Sequence, residues 1–168
     1  IRHGEGPMVT ECPAMLESLL PGSHREHNRW QGNVRVGPLD FVALRYAIEV
    51  CGGPKAFDGL AVTWFDQIRM NRKWYLCDSY QGPLDQEFFS ADGEIKVRRG
   101  ADEEQLTYQE QLGKYLHTCQ PCIDSYGVVA EATEDDQADL CASVVKNRLG
   151  VAVRMISLGP TEDDKVLL

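Results

Sequence analysis

Twice along this chain a helix-period pattern closed by glycine is followed at once by an apolar, β-prone run, and that alternation limits the fold more than any other feature. In the first instance Phe41, Leu44, Ile48 and Cys51 recur at helical steps, Pro38 suits the first turn, and Gly52-Gly53 supplies the stop. Leu60-Ala61-Val62-Thr63-Trp64-Phe65 then follows, bounded by Gly59 and Asp66. In the second, Asp135 to Leu149 opens on acidic residues, ends on Lys146 and Arg148, and carries Leu140, Val144 and Val145 on one side before Gly150. Val151 to Ser157 is its strand. An apolar run without alternation is the habit of strands covered on both faces, as in parallel sheets. The pattern therefore predicts an α/β fold: a mostly parallel sheet with flanking helices.

The remaining elements are shorter. Glu11 to Leu20, with Ala14, Met15, Leu16, Leu19 and Leu20 apolar and Pro21-Gly22 as its end, predicts a short helix, and Tyr108 to Cys119 another. Lys73 to Tyr80 and Glu94 to Arg98 read as strands, with Ala91-Asp92-Gly93 as a turn, so a small antiparallel hairpin excursion is expected beside the parallel sheet. At 168 residues the chain is close to the ~150 of one domain and can bury ~70% of its unfolded surface unaided. Residues 1–168 are read as a single domain. No apolar run approaches the ~18 residues needed to span a bilayer. A net charge of −9 opposes nucleic acid and anionic lipid as partners, since both are met by clustered Lys and Arg. Six cysteines could pair, but Cys51, Cys77 and Cys141 fall inside apolar-periodic stretches, where a thiol acts as a small hydrophobe. A reduced, cytoplasmic protein is expected. The opening Arg2-His3-Gly4-Glu5-Gly6-Pro7 is a glycine-rich loop with no element before it to anchor it, which reads as a piece of a longer chain.

Two places suggest chemistry. Ligands of open parallel sheets sit beyond the carboxyl ends of the strands. The first strong strand ends in Asp66, a carboxylate able to accept two parallel hydrogen bonds; the second runs into Ser157-Leu158-Gly159-Pro160, whose small residues let backbone approach a flat ligand. If the strands are neighbours, the pair forms a purine slot, because one carboxylate can take both the ring N–H and the exocyclic amine of guanine. An Asp at a strand end beside an ordinary Gly-Pro turn is the plain alternative. The stretch Ser23 to Gly37, with His24, Arg25, His27, Arg29 and Arg35, is locally basic in an acidic chain. Within it Asn28-Arg29-Trp30-Gln31-Gly32-Asn33-Val34-Arg35-Val36-Gly37 combines guanidiniums, side-chain amides and glycines suited to a carboxylate or phosphate. A solvated polar loop is its plain alternative. His117, Cys119 and Cys122, with Cys141, offer soft ligands for a zinc-stabilised domain, without a second ligand pair at the usual spacing. The runs Asp102-Glu103-Glu104 and Glu134-Asp135-Asp136 read as solvated faces and helix starts.

In order, these pieces resemble the adenylosuccinate synthetases. Ile1 to Glu11 resembles their "RVGxGPFPTE" segment, Gly37 to Ala47 their "GWxDxVxLRxA" helix, Asp58 to Asp66 their "xxGLxLTKLD", and Gly150 to Pro160 their "GVPVxxxSTGPxR". The resemblance covers nearly the whole chain and only the carboxyl-terminal part of the family. It implies a purine-nucleotide ligase that joins aspartate to IMP, with GTP phosphorylating the purine 6-oxygen before the amine displaces phosphate. It also implies Mg2+, a homodimer, and a GTP site held mainly by the amino-terminal part. By the same resemblance Trp64, Phe65 and Asp66 stand at the guanine-reading "KLD", and Ser157, Leu158, Gly159 and Pro160 at its "STGP". Trp30, Gln31, Gly32, Asn33, Val34 and Arg35 stand at the "TTGRxRR" loop that holds aspartate and IMP. No catalytic or metal-ligating residue is assigned within 1–168, and the chain by itself is expected not to catalyse.

Two departures bear on specificity. The loop is one residue shorter than the family's with a single Arg after Gly32, and Trp64 replaces Lys. The alternatives are a related ligase acting on a guanine (deoxy)nucleotide with ATP or GTP, and a non-catalytic nucleotide-binding module.

Overall fold

Asp40 determines where the first long helix begins. In the computed structural model, which describes residues 1–20, 22, 27, 29–128 and 132–168, Asp40 Oδ1 accepts the Ala43 N–H at 3.0 Å. That bond caps α2 (Phe41–Val50). Its other oxygen accepts the Tyr80 hydroxyl at 2.8 Å. Pro38 thus precedes the helix rather than opening it. Leu39–Asp40 form strand β1, at the edge of a sheet of order β1, β3, β4, and a proline just outside an edge strand removes no ladder bond. β1 lies parallel to β3 (Lys73–Tyr80), with Leu39 beside Leu76 and Asp40 beside Cys77. β4 (Pro121–Gly127) pairs with β3. The Gln81 N–H donates to Gln120 O, and the Val128 N–H to Arg72 O, so those two strands run antiparallel.

The chain forms two compact units, Ile1–Val50 with Tyr75–Asp124, and Cys51–Trp74 with Ser125–Leu168. The first is cored by Val42, Cys77, Tyr80, Phe88, Phe89, Ile95, Tyr108 and Leu112. Its aromatic rings meet in sequence, Phe88 stacked on Tyr115 at 5.2 Å and Tyr80 edge-on to Phe89 at 6.0 Å. The expected helix over Glu11 to Leu20 is a 3₁₀ turn (Pro13–Met15) leading into α1 (Leu16–Leu19). Pro21, its expected stop, lies outside the described residues. The helix expected from Tyr108 is α4 (Glu103–Leu116). It starts earlier because Asp102 caps it, accepting the Gln105 N–H at 2.9 Å, and ends earlier, at Leu116. The acidic run is indeed a helix start.

The second unit holds the sheet β2, β5, β6. Its strands are β2 (Leu60–Val62), β5 (Val153–Ser157) and β6 (Lys165–Leu167). β2 and β5 are parallel neighbours, Val62 beside Ile156. α3 (Phe65–Asn71) and α5 (Glu134–Leu149) both pack on β5. α5 ends at Gly150, φ 67°, as expected, and opens on a reciprocal capping box of Thr133 and Asp136 that starts it one residue early, at Glu134.

Three expectations are corrected. The sheets are mixed rather than mostly parallel. Only seven residues, Leu158 to Asp164, join β5 to β6, too few for the crossover of a dozen or so that a parallel return requires; β6 comes back antiparallel. Leu60 to Phe65 is not one strand covered on both faces: β2 stops at Val62, Ala61 is exposed, and Trp64 takes a left-handed φ of 65° that turns the chain into α3. The hairpin excursion shrinks to a single antiparallel bridge, Phe89 with Ile95, around the turn at Asp92-Gly93. Glu94 to Arg98 is no strand, and Lys73–Tyr80 pairs elsewhere.

Two glycines test this packing in opposite directions. A Cβ on Gly37 would sit 1.9 Å from the Thr10 carbonyl oxygen, whereas one on Gly113, inside α4, would meet nothing within 4 Å. Gly37→Ala should cost about 1–3 kcal/mol, lowering Tm by several degrees. Gly113→Ala should raise Tm, by up to ~1 kcal/mol of helix propensity. Thermal melts of both variants decide; a Gly37→Ala protein melting with the parent would mean that the Thr10 segment does not approach this closely.

Candidate functional site

The first candidate group is the loop after residue 28. Asn28, like His24 and Arg25, lies outside the described residues. The opening segment, expected to lack an anchor, is instead zipped onto this loop. Arg2 and Arg35 exchange backbone N–H and C=O bonds, both 2.8 Å, the Gly4 N–H donates to Gln31 O, and the Cys12 N–H to Val36 O. Gly32 turns the loop at φ 69°, a conformation other residues adopt at a cost. His27 Nδ1 donates to Asn33 Oδ1 at 2.9 Å. Gln31 and Asn33 are exposed, Val34 is half-buried, and Trp30 is 82% exposed with the Arg29 guanidinium 4.6 Å from its ring centre.

Arg35 is held from several sides. Its Nε and Nη2 donate to Glu11 Oε2 at 2.9 and 2.6 Å, and its Nη1 donates to the carbonyls of Gly4 and Gly6 at 3.1 and 2.9 Å. The side chain is 19% exposed. The Arg35 guanidinium holds the Glu11 carboxyl below the usual carboxylate range, and Glu11 in turn raises the pKa of Arg35. Sequence reading named Arg35 but missed Glu11. The two are far apart in the chain, so no local spacing could link them.

The second group lies where β2 and β5 end. Because the strands are parallel, with a register shift after Leu60 and Val62 beside Ile156, the segments at their carboxyl ends, Thr63 to Asp66 and Ser157 to Pro160, leave the sheet at the same end. Asp66 is not the last residue of a strand but sits in the first turn of α3, half-buried, with Gln67 Nε2 donating to its Oδ2 at 2.7 Å. Each carboxylate oxygen offers two lone-pair directions, so this bond leaves acceptor capacity on both oxygens. Phe65 is fully buried, edge-on to Trp74 at 5.5 Å. Its side chain belongs to the core, and any part it plays at the strand ends is left to its backbone.

The turn after β5 is internally braced. The Ser157 hydroxyl donates to Gly159 O at 2.9 Å, Lys165 Nζ donates to the same carbonyl at 2.7 Å, and the Leu158 N–H donates to Asp164 O at 2.8 Å. Asp164 Oδ2 accepts both the N–H and the hydroxyl of Thr161. A Cβ at Gly159 would fall 2.5 Å from the Asp164 carboxyl carbon, so a side chain there would push that carboxylate off its bonds to Thr161. Pro160 is exposed and Leu158 half-buried.

The cysteines are all free. Cys77 and Cys141 are buried, as expected of small hydrophobes, and burial pushes both thiols up to about 12, which leaves them poor nucleophiles. Cys51 departs from expectation: it lies beyond α2 and is exposed. Among the described residues no three His, Cys, Asp or Glu side chains converge as metal ligands, so His117, Cys119, Cys122 and Cys141 form no zinc cluster. No helix of the described residues is long and apolar enough to cross a membrane.

The family profile described as adenylosuccinate synthetase matches residues 1–166. Adenylosuccinate synthetase of Mycoplasma mycoides is 37% identical over 98 residues, 56% of this chain and 22% of that protein. That of Aquifex aeolicus is 27% identical over 168 residues, 99% of this chain and 35% of the relative. The structure of fully ligated adenylosuccinate synthetase from Plasmodium falciparum matches with a TM-score of 0.66 at 17% identity, covering 98% of this chain and 37% of that one. At that identity the likeness is one of fold. Even where nearly all of it aligns, the chain spans only 35% of its curated relative's length.

The Glu11–Arg35 pair has a signed pH signature. A carboxylate whose pKa is depressed on folding contributes stability above its unfolded value, near ~4.3, and loses it as pH falls through the lower folded value. The stability gap between wild type and Glu11→Gln should therefore be constant above pH ~6 and shrink on acidification below ~4.3. Urea denaturation across that range measures it; a gap that does not change would remove the pair.

Proposed function

The chain belongs to the adenylosuccinate synthetase family, and from that premise we propose that it is the carboxyl-terminal portion of a ligase joining aspartate to IMP at the expense of GTP. Family membership carries the ligase and purine-nucleotide chemistry. The assignment of partners to residues is carried by one observation: the parallel pairing of β2 with β5, which delivers Asp66 and the Ser157–Pro160 turn to one end of one sheet. There Asp66 accepts the ring N–H and exocyclic amine of the guanine base. The braced turn, free of a side chain at Gly159, lets backbone lie against the ring. In the other unit, the loop Trp30, Gln31, Gly32, Asn33, Val34 and Arg35 receives the carboxylates of aspartate and the IMP nucleotide.

Aspartate binding orients the amine toward the purine carbon activated by phosphorylation of its 6-oxygen; the loop's share is positioning and neutralisation of charge. Mg2+ accompanies GTP in this reading. No step assigned here to this chain's residues depends on it. A homodimer in the cytoplasm is the setting that family resemblance implies.

Trp64 favours a second reading of the donor. It stands where the family has Lys, two residues before Asp66 and with a left-handed backbone, so a slot rebuilt for adenine would make ATP the donor. Guanine gives Asp66 two donors, whereas adenine presents an acceptor at the ring position and leaves a lone pair facing the carboxylate. A site built to accept a donor rejects a ligand that lacks it. In the complete enzyme, Asp66→Asn should lower the GTP/ATP ratio of kcat/KM by about 10- to 100-fold. Steady-state kinetics with both nucleotides measure it. A ratio untouched by the substitution removes Asp66 from base recognition, and a wild type preferring ATP selects the second reading.

A further inference from the structure

The turn after β5 is closed from β6. Ser157 and Lys165 lie directly opposite each other where the two strands meet, so their side chains stand on the same face of the sheet. Both reach the same oxygen. The Ser157 hydroxyl and Lys165 Nζ donate to Gly159 O at 2.9 and 2.7 Å, and Lys165 Nζ donates again to Thr161 O at 2.5 Å. A carbonyl oxygen has two lone pairs, so Gly159 O is filled. Lys165 is half-buried, and its ammonium spends two of its three N–H donors on this turn.

This bracing changes what the turn shows to a ligand. The Leu158 N–H is engaged on Asp164 O and the Thr161 N–H on the Asp164 carboxylate. With Lys165 in place, two carbonyls that would otherwise be open acceptors are closed, and an ammonium lies within hydrogen-bond distance of both. The segments that leave the sheet at this end, Thr63 to Asp66 and Ser157 to Pro160, contain no cation of their own. Lys165 brings one. Purines differ at the six position in this respect: guanine carries an oxygen that accepts, adenine an amine that donates. A rim with two acceptors closed and a cation behind them favours the oxygen, whereas open carbonyls would favour the amine.

We propose that Lys165 is a positioning residue that sets base specificity: by closing the carbonyls of Gly159 and Thr161 it holds the turn in shape and biases the slot toward guanine. This rests on the reading of the strand ends as the base site given above. It adds to that site a residue from β6, a strand that contributes none of the residues assigned there.

The test uses the complete protein, with GDP and ADP as calorimetric probes, steady-state kinetics with GTP, and thermal melting. Lys165→Met should weaken GDP binding by about 10-fold, the scale of one charge-assisted hydrogen bond, and leave ADP binding unchanged or tighter. KM for GTP should rise by the same factor at unchanged kcat, because the base is held alike in the ground and transition states. KM for aspartate and IMP should not move. Lys165→Gln, which keeps an amide donor for one carbonyl, should fall between, and it decides in the same way if Lys165→Met does not fold. A lower Tm with GDP and ADP affinities unchanged, or changed equally, makes Lys165 a brace of the fold alone and overturns the inference; so does a wild type that prefers ADP. Asp66→Asn, measured alongside, separates the inference from the reading beneath it. If it weakens GDP binding while the Lys165 variants leave the GDP/ADP preference intact, the base site stands without the inference. If Lys165→Met lowers that preference and Asp66→Asn does not, Asp66 leaves base recognition and the inference stands on the turn. If neither variant changes nucleotide affinity, or no nucleotide binds, both fall.

Discussion

The register that sets Val62 beside Ile156 is the constraint on which the second unit depends. β2 and β5 are distant in sequence, yet once they lie parallel their carboxyl ends must coincide, and whatever follows each strand shares one rim of the sheet. α3 and α5 both pack on β5, which keeps that strand central and leaves β2 at the edge. The connection from β2 to β5 runs through α3, β3, α4, β4 and α5, which is long enough for a parallel return. β6 breaks the rule for the same geometric reason: its connection is too short to cross over.

In the first unit the comparable role falls to a buried acid. Asp40 caps α2 through Ala43 and accepts the Tyr80 hydroxyl, so one side chain ties β1, α2 and β3 together. Burial raises its pKa, against the pull of the Ala43 and Tyr80 bonds, and the same burial together with the Asp40 charge raises that of Tyr80. Both groups serve here as hydrogen-bonded anchors. The sequence places this aspartate directly after Pro38-Leu39, where helix-start rules favour the proline; the cap won because Ala43 lies three residues beyond the aspartate, the reach of an N-cap side chain.

What was legible in the sequence follows from how local each cause is. α2 and α5 rest on periodicity, caps and terminal glycines, all within one stretch of chain, and both formed close to where the pattern puts them. The β2–β5 pairing was legible as a condition, since helix-strand units favour it. Arg35 was legible as a charge in a loop but its employment was not, because Glu11, Gly4 and Gly6 reach it through a fold in the chain. A lone arginine in a polar loop therefore carries two readings, and only its partners decide between them. Trp30 and Arg29 were visible as residue types, and their adjacency in sequence could have suggested the stack.

Trp64 is the place where local rules failed most instructively. A β-branched and aromatic run from Leu60 to Phe65 reads as one strand, and nothing in its composition announces a left-handed residue, which for a non-glycine costs roughly 1–2 kcal/mol. The offset lies one position on. Turning at Trp64 drops Phe65 into a fully buried place edge-on to Trp74, a burial of the order of 2–3 kcal/mol for a large side chain. Had the strand continued, alternation would have sent Phe65 and Asp66 to opposite faces without a helix to hold the acid. The strained tryptophan and the buried phenylalanine together place the carboxylate in the first turn of α3, half-buried and steadied by Gln67. The geometry at Asp66 is thus a consequence of core packing two residues long, and any substitution that relieves the strain at Trp64 by straightening the backbone would move Asp66 as well.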